Sequence, residues 1–489
     1  MAHTPPRRPN LLFLYTDEQA YATLAAYGNT QIQMSNLNRL AENSTVFEQA
    51  YVTQPVCTPS RSTLLTGLYP HATGCTENNI PLRTDIPCLP EMIEQGTYTT
   101  GHFGKWHLGD EVFAQHGFNQ WRSIEDHYYQ YYRKDKDQDA HSSYHDFLLK
   151  NGFNPDGGGR FSRPQAARLP EEYGKPAYLA QEASTFIRQN RDRPFVLYVN
   201  FLEPHMPFFS PRDSQYEPSH VPLPENYNNI PSENQPLKTR LFQEHYFRYG
   251  HSGLELATDD HWRRMRANYW GLCSLIDTHI GTILDTLSES DLWENTIVVF
   301  TSDHGDMMGS HRLIGKNVMF EEAVRVPLLI RAPGQFRPRR VKGPVSQIDI
   351  VPTLLDLMGQ RVPERCQGKS LRSMLEGGLE QSREDIFIEW NGPNNGLGDR
   401  VGEVSVPRWM LESYDREHIE RVMRDPVRTI VTPYGWKYTW SSTGEDELYN
   451  LDEDPGERTN RAGERECGGI REDLRQRIKE WKVRAGDRA

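Results

Sequence analysis

No stretch of this 489-residue chain approaches the roughly 20 consecutive apolar residues that cross a bilayer, so no membrane-spanning helix is expected. The N-terminus, Met1 to Asn10, is rich in proline and arginine and has no apolar signal-peptide core. The expectation is a cytoplasmic protein as the chain stands, or a periplasmic or secreted one if a leader has been removed. A basic excess is also missing, since 55 Lys and Arg face 67 Asp and Glu and leave a net charge of −12. That balance excludes a protein that tracks nucleic acid or another polyanion over its whole surface, but it permits a local basic pocket. Cysteine is sparse. The six, Cys57, Cys75, Cys88, Cys273, Cys366 and Cys467, show no regular spacing and no Cys-x-x-Cys pair. Neither a zinc ribbon nor a dense disulfide framework is indicated, and one disulfide is left open. There is no internal repeat.

What is present suits a large core. Hydrophobic residues make up 36% of the chain, with 10 Trp, 23 Tyr and 19 Phe, enough for a large α/β body with a smaller appendage. Asn10 to Thr16 reads as a buried strand that delivers Asp17 at its C-terminal end, the edge where open α/β sheets bind ligands. Taken alone, Asp17 reads equally well as a cap for the next segment. Further strands are expected at Thr45–Val52, Tyr98–Phe103, Phe195–Phe201, Thr296–Ser302 and Val326–Arg331. Helices are expected at Asn36–Glu42, Trp270–Leu287 and, interrupted by Pro352, Gln347–Met358. Cys273 and His279 fall in the second of these helices and read as structural. Alternation of this kind favours a mostly parallel sheet covered on both faces.

Two long irregular segments, 120–169 and 210–253, have the aromatic and polar mix of a carbohydrate pocket, although surface elaboration explains such insertions too. A Gly/Glu/Ser-rich link at Glu376 to Glu384 separates residues 1–375 from residues 376–489. The second part reads as a small antiparallel sheet (strands near 386–390, 428–432 and 436–440) closed by a charged helix, Ile470 to Val483.

The most specific stretch is Pro55-Val-Cys57-Thr-Pro59-Ser-Arg61, just ahead of a helix start. A thiol there sits at the positive end of a helix dipole beside a guanidinium, a place to hold an anion and an attacking group together. By composition, about one unrelated chain in a hundred carries Cys-x-Pro-x-Arg. Other strand ends complement it: Gly104-Lys105-Trp106-His107-Leu108-Gly109, Glu203-Pro204-His205, and Asp303-His304 followed by Gly315-Lys316. Asp17, Asp303 and His304 together offer two hard carboxylates and an imidazole to a metal.

In this order the motifs closely resemble the type I sulfatases, from Pro9 to about Asn460. The resemblance implies an alkaline phosphatase-like α/β fold with a small C-terminal sheet, and hydrolysis of a sulfate ester on a small molecule or oligosaccharide; the aromatic and polar insertions point to a saccharide. It implies that a maturation enzyme oxidises Cys57 to formylglycine, whose hydrate attacks sulfur. It also implies a metal held by Asp17, Asp303, His304 and the modified residue 57, Ca2+ first and Mn2+ as the alternative. Arg61 and Lys105 would hold the hydrate, and Lys316 or His205 would protonate the departing alcohol. His107 would take the second hydroxyl proton to expel sulfate. One departure stands out: many members carry adjacent aspartates after the first strand, whereas this chain has Asp17-Glu18, so Glu18 is an open ligand. Phosphonate monoester and phosphodiester hydrolases share the scaffold and are the alternative activity; a silent sugar-binding relative would not need the maturation motif.

Overall fold

Strand β1 (Asn10–Asp17) is buried along its whole length. It lies between two parallel neighbours, β5 (Phe195–Pro204) and β6 (Thr296–Ser302). A strand covered on both faces needs apolar side chains at odd and even positions alike, and β1 supplies them. Leu12 and Leu14 face one core with Val199 and Phe201. Leu11, Phe13 and Tyr15 face another with Val196 and Tyr198. The first core is roofed by helices 175–189 and 259–289, and the second by helices 57–66 and 350–357. The computed structural model describes residues 8–229, 234–251, 253–379, 381–392, 404 and 406–489.

The remaining strands of the sheet are β2 (Thr45–Tyr51), β3 (Thr99–Gly104), β4 (Gln120–Arg122), β7 (Arg325–Val326), β8 (Leu328–Arg331) and β9 (Arg339–Ser346). The order is β4-β3-β5-β1-β6-β8-β2-β7, with β9 also paired to β2. Pairing is parallel from β4 through β6, and β8 runs antiparallel to both β6 and β2. The sheet is therefore mostly parallel, with helices on both faces. Register brings Thr16 opposite Ser302 and Asp17 opposite Pro204, which gathers three strand ends at one edge.

A second, antiparallel sheet has the order β10 (Ile386–Glu389), β11 (Arg428–Val431), β12 (Trp436–Trp440) and β13 (Glu447–Asn450). Helix 468–485 lays Leu474, Ile478 and Trp481 against Ile430, Tyr438 and Leu448 of this sheet. Its contact with the larger body includes a buried ion bridge. Lys437 Nζ lies 3.0 Å from Glu321 Oε1 and 2.8 Å from Glu457 Oε1.

Several expectations need correction. The 120–169 segment contributes β4 to the main sheet and carries helices 143–150 and 163–166. The 210–253 segment contains a 13-residue helix, Leu237–Tyr249, with Leu237, Leu241, Phe242 and Tyr246 buried on one face; residues 230–233 and 252 of it lie outside the described residues. Pro352 interrupts nothing, because it falls in the first turn of helix 350–357, where its N–H is not needed. The Trp270–Leu287 helix is longer than expected, running from Asp259 to Glu289 behind a Thr258 cap. Residues 1–7 of the Pro/Arg-rich start and residue 380 of the link also lie outside the described residues.

Candidate active site

Helix 57–66 begins on Cys57, follows an extended Val56 and ends at left-handed Gly67, whose N–H caps Thr63 O at 2.9 Å. All ten residues are buried. Ser60 ties the helix to the sheet edge through Gln347 Oε1, at 3.0 Å, and the Asp303 carbonyl.

Arg61 organises the carboxylates. Its Nη2 lies 2.8 Å from Asp17 Oδ2, and its Nε donates to Asp303 Oδ2 at 2.9 Å. Its Nη1 donates to Lys105 O and to Asn200 Oδ1, each at 2.7 Å. Its side chain is fully buried. With its donors taken up in this way, Arg61 lies behind the carboxylates as their counter-charge and does not face Cys57 as a direct holder of the hydrate. Lys105 Nζ adds a second cation 2.6 Å from Asp17 Oδ2. Burial works against the Asp17 charge, yet Lys105, His205 and Arg61 hold its carboxyl well below the usual range.

The other carboxylate oxygens turn inward. Cys57 Sγ lies 3.6 Å from Asp17 Oδ1 and 3.3 Å from His304 Nε2. His304 Nε2 is in turn 3.8 Å from Asp17 Oδ1 and 3.6 Å from Asp303 Oδ1. His304 Nδ1 is 3.0 Å from Gly305 O; donating there leaves Nε2 with its lone pair toward the cluster. Four buried donor atoms thus converge within 4.8 Å of one another. Two hard oxygens and an imidazole around a shared space are a fitting donor set for one divalent cation. Without a cation, burial works against the His304 charge, yet Asp303 and Cys57 together push its imidazole up to about 9. A bound cation reverses that preference, because a ligating imidazole must be neutral.

Glu18 is turned elsewhere. It has φ 65° and a buried carboxylate that contacts Lys316 Nζ, with His205 Nε2 3.8 Å away. It groups with Asp17 and His205, outside the four-member cluster. Lys316 Nζ reaches 3.5 Å from Cys57 Sγ, so Lys316 and His205 share one side of residue 57. His205 Nδ1 is pinned at 2.7 Å from Met206 O. Burial, followed by Lys316, holds its imidazole well below the ordinary range.

His107 occupies another wall. Its φ is 57°, its carbonyl accepts from Thr58 Oγ1 at 2.7 Å, and its N–H donates to Glu111 Oε2 at 2.7 Å. Its Nε2 lies 2.9 Å from Asn79 Oδ1, and its ring stacks on Tyr128 with centroids 4.3 Å apart. Its Nδ1 is buried with no hydrogen-bond partner. Burial and the cations Lys105 and Arg61 keep this imidazole neutral.

All the residues expected at the site therefore gather at one sheet edge. Sequence reasoning missed Asn79, Glu111, Tyr128 and Asn200. Asn200 was within reach of the strand pattern, because it lies near the C-terminal end of β5; the other three carry no motif signal.

The fold and this edge define the class, a hydrolase of the alkaline phosphatase-like superfamily. The chain belongs to the formylglycine-dependent sulfatase family: the model of that family, described as Sulfatase, matches residues 9–360. A second model, N-sulphoglucosamine sulphohydrolase, C-terminal, matches residues 309–426. The chain is thus a sulfuric ester hydrolase. It is 28% identical over 461 residues to the uncharacterized sulfatase YidJ of Escherichia coli (strain K12), spanning 93% of this chain and 83% of that one. To the N-acetylglucosamine-6-O-sulfatase of Bacteroides thetaiotaomicron it is 26% identical over 410 residues, 76% of this chain and 71% of the relative. Among solved structures, a phosphonate monoester hydrolase from Silicibacter pomeroyi superposes with a TM-score of 0.77 at 23% identity. That match covers 98% of this chain and 96% of the other.

Proposed function

We propose that the chain cleaves the sulfate ester of a saccharide, using residue 57 as formylglycine and one divalent cation, Ca2+ before Mn2+, beside it. The observation that carries this reading is the convergence of Asp17, Asp303 and His304 on Cys57, with Lys316 Nζ on the same atom. The cysteine sulfur stands where the hydroxyls of a hydrated aldehyde would be. A cation held by Asp17, Asp303, His304 and residue 57 would supply Lewis-acid charge to the sulfate oxygens and to the attacking hydroxyl. Formylglycine would supply one hydroxyl to attack sulfur and a second whose deprotonation releases sulfate.

The chain's own residues do the remaining work. Lys105 and Lys316 offset the negative charge that builds on the transferring group. Lys316 or His205, together on one side of residue 57, protonates the departing alcohol. His107 accepts the proton of the second hydroxyl at Nδ1, the nitrogen without a partner. Arg61 holds Asp17 and Asp303 in place. The saccharide is supported by the aromatic and polar 120–169 segment and by the likeness to an N-acetylglucosamine-6-O-sulfatase. We further assign a maturation enzyme as a partner of Cys57, and a catalytic part, 1–375, distinct from a C-terminal part, 376–489.

A second reading, phosphonate monoester or phosphodiester hydrolysis, is favoured by Glu18, which replaces a second aspartate and turns to Lys316. Turnover of an aryl sulfate against an aryl phosphonate under matched conditions separates the two, and a large phosphorus preference overturns the first. Peptide mass spectrometry around residue 57 tests the nucleophile: a fully active sample containing only unmodified cysteine would falsify it.

A further inference from the structure

Glu111 is a buried carboxylate that takes no part in the donor cluster around residue 57. Its two oxygens are spent on consecutive backbone N–H groups. Oε1 accepts from Trp106 N and Oε2 from His107 N, each at 2.7 Å. Two successive amides aimed at one carboxylate form a small anion-binding concavity. Accepting from both requires the ionised form, because a protonated carboxyl would turn its O–H on one of the two donors. Burial pushes Glu111 up to about 7, the two amides and Lys105 oppose that rise, and Glu125 adds to it. Above that range the clip is closed.

The turn held in this way is an unfavourable one. Gly104 has φ 125° and His107 φ 57°, and a left-handed histidine persists only where its surroundings hold it. The two functional side chains of the turn are not fastened alike. Lys105 has its own anchors, since its Nζ lies 2.6 Å from Asp17 Oδ2 and its carbonyl accepts from Arg61 Nη1 at 2.7 Å. His107 gives its N–H to Glu111, and from that fixed backbone its ring reaches Asn79 and Tyr128. Glu111 is itself located by its carbonyl, which accepts from Trp121 Nε1 at 3.0 Å. Trp121 belongs to β4, so the edge strand of the main sheet sets where the carboxylate stands.

We propose that Glu111 is a positioning residue for His107 and, through it, sets the rate of sulfate release without setting the rate of attack on sulfur. The proposal rests on the reading of His107 as the base for the second hydroxyl. Lys105 keeps its anchors without Glu111, and Lys316 and His205 stand together on one side of residue 57, so the groups that serve the first half of the reaction are left in place.

Glu111→Gln tests it, because the amide keeps the volume and one acceptor but turns an NH2 on the second N–H, donor against donor. Rapid mixing with an aryl sulfate at pH 8 reads the two halves apart. Single-turnover release of the aryl alcohol should stay within about twofold of wild type, whereas steady-state turnover should fall about tenfold to a hundredfold. In the variant a burst of alcohol, equal in amount to the protein's competent sites, then precedes the slow phase. An equal slowing of both halves, or an unchanged steady rate, overturns the proposal. So does a burst whose amplitude shrinks in step with turnover, since that marks a loss of folded sites only. If wild type turns over no sulfate ester, the functional reading fails separately, and exchange of the His107 ring proton still decides. That Nε2–H, donated to Asn79, is read by NMR of 15N-histidine-labelled protein, and Glu111→Gln should speed its exchange at least about tenfold. Equal exchange in the two proteins overturns the proposal whichever ester is cleaved.

Discussion

His107 Nε2 sits 2.9 Å from the side-chain oxygen of Asn79, and that contact decides which ring nitrogen carries the proton. The carboxamide oxygen accepts, Nε2 donates, and Nδ1 is left basic, buried and without a partner. Asn79→Ala should lower kcat on the order of tenfold to a hundredfold with little change in KM, because only the orientation of a general base is lost. Asn79→Asp should act differently. Its carboxylate favours the imidazolium and raises a pKa that is well below 6.5 in the wild type. The base is then protonated as pH falls, and the acidic limb of the kcat profile moves to higher pH. An unchanged profile would remove Asn79 from this role.

Leaving-group chemistry separates Lys316 and His205 from the rest of the site. An aryl oxygen departs without a proton, whereas a sugar alkoxide needs one. Substituting the true acid by Ala should cost about 10²- to 10⁴-fold on a saccharide sulfate and far less on an aryl sulfate. The residue whose loss shows no such contrast is not the acid.

The donor set at Asp17, Asp303 and His304 predicts a stability effect independent of turnover. Calcium at about a thousandfold excess over its Kd should raise the unfolding free energy by about 4 kcal/mol. Denaturant titration with and without a chelator measures the increment, and Asp303→Asn should abolish most of it.

Lys437→Met tests the join between the two sheets. It leaves Glu321 and Glu457 buried without their shared cation, a change expected to cost about 3–5 kcal/mol near neutral pH. Burial already raises the Glu457 carboxyl, against the pull of Lys437. A raised carboxyl means that the native state binds more protons than the unfolded chain once pH exceeds about 4.3, so this group's contribution declines as pH rises through that window. The variant should therefore recover part of its lost stability on mild acidification, as read from urea midpoints at several pH values.

How much could be read beforehand follows from where each residue lies. Asp17 and Asp303 follow apolar runs, and a buried strand that ends on a carboxylate fits a ligand edge or a cap equally well until the other motifs are set beside it. Cys57, Lys105, His107, His205 and Lys316 lie in short motifs that mark them by residue type and order, although partners such as Asp17 for Lys105 and Glu18 for Lys316 are far away in the chain. Asn79, Glu111 and Tyr128 carry no such signal, because their importance arises from how they meet His107, Glu111 at its backbone N–H and Asn79 and Tyr128 at its ring. The Leu237–Tyr249 helix did leave a trace, in the spacing of Leu237, Leu241, Phe242 and Tyr246, but the charged residues among them obscured it. Arg61 was recognised as part of the site and given the wrong neighbour: sequence order shows that a guanidinium lies near a cysteine, not which side of it faces two carboxylates.

The burial of helix 57–66 has a consequence for timing. Cys57 is 1% exposed, and the residues around it from Pro55 to Leu65 are buried. No second protein can grip that segment in the folded state. If residue 57 is oxidised as proposed, that oxidation competes with folding, and a chain that closes first keeps an intact thiol. The active fraction of a preparation would then record that race, set during biosynthesis and beyond repair by purification.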